Sequence, residues 1–220
     1  MEEIRKYHNE AKRILIQSAT REGDSILDVG CGFGGDLQKW KHAGANISMC
    51  EPNLESLKEA KTRAKNMKIR VNFYEGDIFS CPHRKYDVIC YNFALHYIFA
   101  TKQLFEKSLL EVRNRMKPGG VFIGIVPNSD KIIMNTPVRY KLGNYFLMKQ
   151  TSSGNFGEKL YVHLAETPYY ADGPKVEPIA HKDMLFTYME DLGFTLTVWE
   201  DLEGNPVSEL YSKFIFVYKK

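Results

Sequence analysis

Apolar residues recur along the chain at two periods, and helical and strand-like stretches take turns through most of it. Ile4, Tyr7, Ala11, Ile14, Leu15 and Ser18 fall at helical spacing with Arg5, Lys6, Lys12 and Arg13 among them. The segment from Ile4 to Ala19 is therefore expected to be an amphipathic helix. Short apolar or alternating runs follow at Ser25–Val29, Asn46–Cys50, Ile69–Tyr74, Tyr86–Phe93 and Gly120–Val126, all with the length and composition of strands. Between them, Gly35–His42, Leu54–Met67 and Thr101–Met116 read as helices, the last ended by Lys117-Pro118-Gly119-Gly120 as a stop and turn. Strand alternating with helix predicts an α/β fold with a parallel sheet covered on both faces. Near the end, His181–Leu192 reads as a helix stopped at Gly193, followed by "FTLTVWE" and "LYSKFIFVYKK" as an antiparallel hairpin across "DLEGNPVSE".

The section from Pro127 to Pro178 has weaker periodicity, many Gly, Pro and Asn residues, and scattered basic and aromatic side chains such as Lys131, Arg139, Tyr140, Lys141, Tyr145 and Lys149. It is expected to be an insertion over the sheet, on the side where parallel folds keep their ligands. A chain of 220 residues suits one domain. Its expected division is an N-terminal helix (1–22), a core (23–126), the insertion (127–178), and a C-terminal helix and hairpin (179–220).

Composition adds exclusions. With 44% hydrophobic and 26% charged residues the chain resembles ordinary globular proteins. No apolar run approaches the roughly 18 residues of a membrane span, and "MEEIRKYHNE" lacks the apolar core of a signal peptide, so no membrane association and an intracellular location are expected. Cys31, Cys50, Cys81 and Cys90 form no CxxC pair and suit buried reduced thiols; no metal site is expected. A net charge of +3 is too weak to indicate a nucleic-acid partner by itself.

Candidate chemistry begins at "DVGCGFGGDLQKW", Asp28 to Trp40, which follows the first strand and opens a helix. Gly30, Gly32 and Gly35 satisfy a dinucleotide-binding pattern, and Glu51 ends the second strand about 20 residues further on. Asp28 and Asp36 argue against a pyrophosphate, which a helix N-terminus binds through positive charge. S-adenosylmethionine carries no phosphate but an ammonium and a sulfonium, which an acidic loop suits. Glu51 fits either cofactor, because a carboxylate there can accept both ribose hydroxyls.

Further segments narrow the choice: "YHNEAKRILI", "EGDIF", "NFALHYIF", "VPNS" and "ELYSKFIFVYKK". With "GGDLQKW" they occur together and in an order that resembles the mRNA cap guanine-N7 methyltransferases, over most of the chain. The resemblance implies a class I methyltransferase fold, Rossmann-like, with a mostly parallel seven-stranded sheet and a C-terminal antiparallel hairpin. It implies S-adenosylmethionine as donor, with S-adenosylhomocysteine as product. The donor would be held by Lys12 at the methionine carboxylate, by Asp28, Gly30 and Glu51, by Asp77 at the adenine amine, and by Asn92 and Phe93 closing from the fourth strand. Asn9 matches the family's first-helix substrate motif, while His96, Tyr97, Pro127, Glu177 and Tyr211 match positions around the cap guanine. Two departures stand out: Phe33 where the family commonly has Lys, and His8-Asn9-Glu10 where it often has two Asn and Trp.

The residue types fit such a reaction without a general base, since guanine N7 carries a free lone pair; rate would come from alignment and electrostatics. Glu177 could accept the guanine imino and amine donors, His96 could donate to the carbonyl oxygen, and Tyr97 and Tyr211 could wall the base. The substrate implied is the capped 5′ end of mRNA, with other capping-enzyme domains or an activating subunit as further partners of an otherwise monomeric domain. The nucleus is implied for a cellular protein, and a cytoplasmic replication site or virion for a viral capping enzyme. Two alternatives stay open: another S-adenosylmethionine-dependent RNA or small-molecule methyltransferase, and a non-catalytic cap-binding or activating module.

Overall fold

The computed structural model describes residues 2–134, 145–150, 156–164, 170 and 172–219. A long helix α1 (Glu2–Ala19) precedes β1 (Ser25–Val29), α2 (Leu37–His42), β2 (Asn46–Glu51), α3 (Leu54–Asn66), β3 (Val71–Glu75), β4 (Tyr86–Asn92), α4 (Lys102–Asn114) and β5 (Met116–Pro127). The C-terminal part adds α5 (Ser129–Met134), β6 (Tyr145–Gln150), β7 (Lys159–Leu164), β8 (Lys175–Pro178), α6 (Lys182–Asp191), β9 (Phe194–Asp201) and β10 (Tyr211–Tyr218). Seven strands form one sheet in the order β3-β2-β1-β4-β5-β10-β9. The first five are parallel, and β10 inserts antiparallel between β5 and β9. Strand order reverses at β1 and β4, so the loops after β1 and β4 open into one crevice at the carboxyl ends of the strands.

Alternation along the strands builds two cores. Ile26, Val88, Ile123 and Ile125 pack with Leu15, Ile16, Leu37 and Trp40 on one face. Their neighbours Leu27, Ile89 and Phe122 pack with Phe105, Leu109, Leu185 and Met189 on the other. Adjacent residues point to opposite sides of a strand, so near-continuous apolar runs are what a sheet covered twice requires.

Two expectations are corrected. Lys117-Pro118-Gly119-Gly120 does not separate a helix from a strand: it lies inside β5, where Gly119 takes φ +75 and the pairing with β4 shifts register between Tyr86 and Val88. The insertion is not irregular throughout, because β6, β7 and β8 form a second, antiparallel sheet. Leu160 and Val162 are buried in the first core while their neighbours Lys159 and Tyr161 are not, which is the period-two signature of a strand on a core. Other boundaries move by at most two residues, and Arg139, Tyr140 and Lys141 lie outside the described residues. Among the described residues no helix is long and apolar enough to cross a membrane, and no group of three or more His, Cys, Asp or Glu could hold a metal.

Candidate active site

The crevice begins where β1 runs into the glycine loop. Gly30 has φ +74, and a Cβ there would sit 2.6 Å from the Cβ of Ala94, so both conformation and space demand glycine. Glu51, at the end of β2, accepts from the backbone N–H of Gly32 and of Asn53, each at 2.9 Å. These bonds hold its carboxylate against the loop. Asp77 follows β3, accepts from the N–H of Phe79 at 3.0 Å as a cap, and stays exposed.

A buried charge cluster lies beneath the loop. Asp36 receives the ammonium groups of Lys12 at 2.7 Å and Lys39 at 2.8 Å, and the amide of Asn92 at 3.1 Å. Lys39 also donates to Asn9 at 3.0 Å, which ties α1 to α2. Burial pushes the Asp36 carboxyl up, but the charges and hydrogen bonds of the two lysines outweigh it and bring it down to about 2. Asp28 accepts from the Trp40 indole N–H at 2.9 Å. Burial and then the charge of Asp36 push Asp28 up to about 7, against the pull of Trp40, Lys12 and Lys39. Asn92 Oδ1 is buried with no hydrogen-bond partner among the described residues. A carboxyl pushed toward its neutral form and, in the same cluster around Asp36, a carbonyl oxygen without a donor suit a ligand that brings cationic charge and donors, as S-adenosylmethionine does. Lys12 is already paired with Asp36, and its ammonium has further N–H donors for a methionine carboxylate.

Phe93 lies on the other side of the crevice with φ +57, a conformation uncommon for an aromatic residue and held here by its N–H bond to the carbonyl of Ile125 at 2.8 Å. Its ring stacks on His8 at 5.0 Å and meets Tyr211 edge-on at 5.2 Å, so Phe93 parts from Asn92 and joins the aromatic wall. Tyr211 opens β10 opposite Pro127, the last residue of β5. His8, whose Nε2 lies 3.0 Å from Ser208 Oγ, is held down to about 4 by burial and then by Lys12, so it is neutral at pH 7.

A short 3-10 turn, Leu95–Ala100, carries His96 and Tyr97 toward β8. Glu177 on β8 is 4% exposed. One of its oxygens accepts from Tyr97 at 3.1 Å and Tyr170 at 2.8 Å, and the other lies 3.0 Å from His96 Nε2. Burial pushes Glu177 up, yet His96 and the two tyrosine hydroxyls more than offset it, and its pKa falls below the usual carboxylate range. Both ring nitrogens of His96 are buried without a hydrogen-bond partner among the described residues, Nε2 only lying close to Glu177, so the imidazole is unsatisfied and turned toward the pocket for a ligand.

Three groups thus form: Glu51 with Gly30 and the loop; Asn9, Lys12, Asp28, Asp36, Lys39 and Asn92; and His96, Tyr97 and Glu177. Phe93 and Tyr211 lie together, and Asp77 stands apart at the crevice rim. Sequence reasoning assigned no role to Lys39, His8 or Tyr170. Lys39 was within reach, being three residues after Asp36 on a helix; Tyr170 had no periodic pattern around it. The face that lost a basic residue at Phe33 has one nearby, for the Arg63 guanidinium lies 6.0 Å over the Phe33 ring.

The topology and the glycine-loop crevice define a class I S-adenosylmethionine-dependent methyltransferase fold. An S-adenosylmethionine-dependent methyltransferase from Clostridium acetobutylicum superposes over 98% of this chain and 92% of its own, with TM-score 0.67 and 16% identity. The PH0226 protein from Pyrococcus horikoshii does so over 100% and 92%, with TM-score 0.75 and 17% identity. At a finer level, residues 1–168 match the model of the mRNA (guanine-N(7))-methyltransferase domain, and the chain belongs to that family. The mRNA cap guanine-N(7) methyltransferase of Saccharomyces cerevisiae is 28% identical, covering 86% of this chain and 45% of the yeast protein. That of Schizosaccharomyces pombe is 34% identical over 60% of this chain and 41% of its own, and methyltransferase 1 of Arabidopsis thaliana is 29% identical over 74% and 52%. The chain spans about half the length of these relatives.

Proposed function

We propose that this protein transfers the methyl group of S-adenosylmethionine to guanine N7 of the 5′ cap of mRNA. The observation that carries the reading is the buried Glu177 carboxylate, kept ionised beside His96 and Tyr97 on the turn that leaves the donor crevice. Guanine differs from adenine in offering an imino and an amine donor beside a carbonyl, and a carboxylate next to a histidine matches that pattern. Family membership supports the same acceptor.

Bound S-adenosylmethionine supplies a methyl on a positively charged sulfur, which any attacking lone pair relieves. Glu51 is our candidate for its ribose hydroxyls and Asp77 for its adenine amine. Asp28 and Asn92 are candidates for its cationic end, with Lys12 shared between Asp36 and its carboxylate. Phe93 and Tyr211 would wall the acceptor base, with Pro127 beneath and Asn9 bracing Lys39. Glu177 would both orient guanine and favour it as positive charge moves onto the ring. No group is required to take a proton from N7, so rate depends on alignment.

We read residues 1–220 as one methyltransferase unit that acts as a monomer on capped mRNA, alone or beside other capping domains or an activating subunit. The relatives named above are fungal and plant proteins, which favours an intracellular, nuclear setting and gives no support to a viral one. The decisive experiment is incubation with labelled S-adenosylmethionine and GpppA-capped RNA, uncapped RNA or GTP, followed by nuclease digestion. Label at guanine N7 of the cap is the expected result. Label elsewhere, or none with a folded protein, would overturn the proposal.

A further inference from the structure

We propose that the Tyr97 hydroxyl is a placeholder for the guanine edge, displaced when the base arrives, and that Tyr170 is the fixed positioning residue of Glu177. The inference rests on the cap-guanine reading above. A carboxylate offers about four lone-pair positions. In the protein, Tyr97 and Tyr170 donate to Oε1 at 3.1 and 2.8 Å and fill its two positions, while His96 Nε2 lies 3.0 Å from Oε2 without a hydrogen bond to it. Guanine brings two donors on one edge, which a carboxylate accepts one on each oxygen, so one of the two tyrosine donors must leave Oε1.

Geometry selects which. Tyr97 and Tyr170 share the same oxygen, Oε1. Tyr170 is 8% exposed and sets its ring edge-on to His163 at 6.4 Å; withdrawing it would drag a buried ring and hydroxyl out of their packing. Tyr97 is 36% exposed, on a short turn, with its ring 4.3 Å from that of His96. Its hydroxyl can exchange Glu177 for water by a rotation of the side chain, and the ring then remains beside the pocket as a wall. Tyr170 stays on Oε1 and His96 stays beside Oε2, so the carboxylate keeps its plane while one donor is swapped for another.

The arrangement has a functional meaning. An empty pocket would leave a buried carboxylate short of a donor, and such a group protonates or turns away. Tyr97 keeps it ionised and aimed, and in exchange competes with the base.

The two tyrosines therefore differ in sign. Titration of the folded protein with GpppA should show Tyr170→Phe binding about 10-fold more weakly, the loss of one hydrogen bond to a charged group. Its S-adenosylmethionine affinity should stay at the wild-type value. The acid limb of GpppA binding should also move to higher pH, because a bond that holds Glu177 ionised is gone; a residue that only supports the fold would lower stability without moving that limb. Tyr97→Phe keeps the ring and removes the competitor, so GpppA should bind about 3-fold more tightly. Weaker or unchanged binding in Tyr97→Phe overturns the placeholder even if Tyr170→Phe fails to fold, and wild-type affinity in Tyr170→Phe overturns the anchor. A wild type that methylates capped RNA at N7 while failing these contrasts removes the inference alone. A wild type that neither binds GpppA nor methylates it removes the function and the inference with it.

Discussion

Replacing Asp36 by Ala would strand two ammonium groups in the floor of the crevice. Lys12 and Lys39 lie 2.7 and 2.8 Å from the carboxylate, with side chains 15% and 11% exposed against 7% for Asp36. Removing one member of a buried ion pair typically costs about 3–5 kcal/mol, because the remaining charge is left desolvated. The direction of the pKa is the same: the two lysines bring the carboxyl from 3.8 to about 2, which favours its ionised form by roughly 2.5 kcal/mol. For a chain of this length each kcal/mol moves the thermal midpoint by about 2–4 °C, so a fall of about 6–20 °C is expected at pH 7. The pH dependence fixes the cause. The folded pKa lies below the unfolded one, so the stabilisation is complete above about pH 4 and is lost as pH falls through about 2. Urea unfolding of wild type and Asp36→Ala at a series of pH values should show a gap that is widest near neutrality and shrinks steadily below pH 4. An unchanged midpoint at pH 7, or a gap of constant size down to pH 2.5, would refute the electrostatic account.

Three more outcomes are expected. Asp28 is pushed up to about 7 by burial and Asp36, so a cationic donor that draws it into the ionised form should release a proton near pH 7; calorimetry in buffers of different ionisation enthalpy would detect this, and Asp28→Asn should abolish the buffer dependence. Gly30→Ala combines φ +74 with a Cβ 2.6 Å from Ala94, and should lower the thermal midpoint and abolish S-adenosylmethionine binding measured by fluorescence or calorimetry. Glu177→Gln should raise KM for capped RNA by about 30-fold or more and depress kcat, while the dissociation constant for S-adenosylmethionine changes less than about 2-fold, which steady-state kinetics and donor titration can separate.

The parallel core was legible because burial on both faces leaves an unmistakable mark. Runs such as Tyr86–Asn92 and Ser25–Val29 are apolar almost throughout, and the glycine loop between strand and helix has few other uses. The terminal hairpin was equally plain, since Gly193 and the "DLEGNPVSE" loop bracket two alternating runs. What sequence obscured was local geometry that a tertiary partner imposes. Pro118 and Gly119 carry the signature of a turn, yet pairing with β4 absorbs them as an irregularity in a strand. Strand β8 spans only Lys175–Pro178, too short for its alternation to stand out among Gly and Pro residues. Within the site, no local pattern marks Glu177, and a resemblance alone singles it out. The ring trio of His8, Phe93 and Tyr211 joins residues about 85 and 118 positions apart in sequence, a juxtaposition no local pattern encodes.

The late position of β10 in the sequence constrains how this molecule can come into being. Residues 211–218 follow every other described strand, but their place is in the interior of the sheet, between β5 and β9. During synthesis the parallel half can therefore assemble before Tyr211 joins Phe93 and His8. Until β10 docks, β5 presents an unpaired apolar edge, Val121 to Val126, of the kind that recruits strands from other chains. A nascent or prematurely terminated chain would combine a preformed donor crevice with no Tyr211 to close the other side. On the proposed reading of Tyr211, competence for the acceptor arrives with the same event that buries the apolar edge of β5, and a proteolytic or translational error within β10 removes both together.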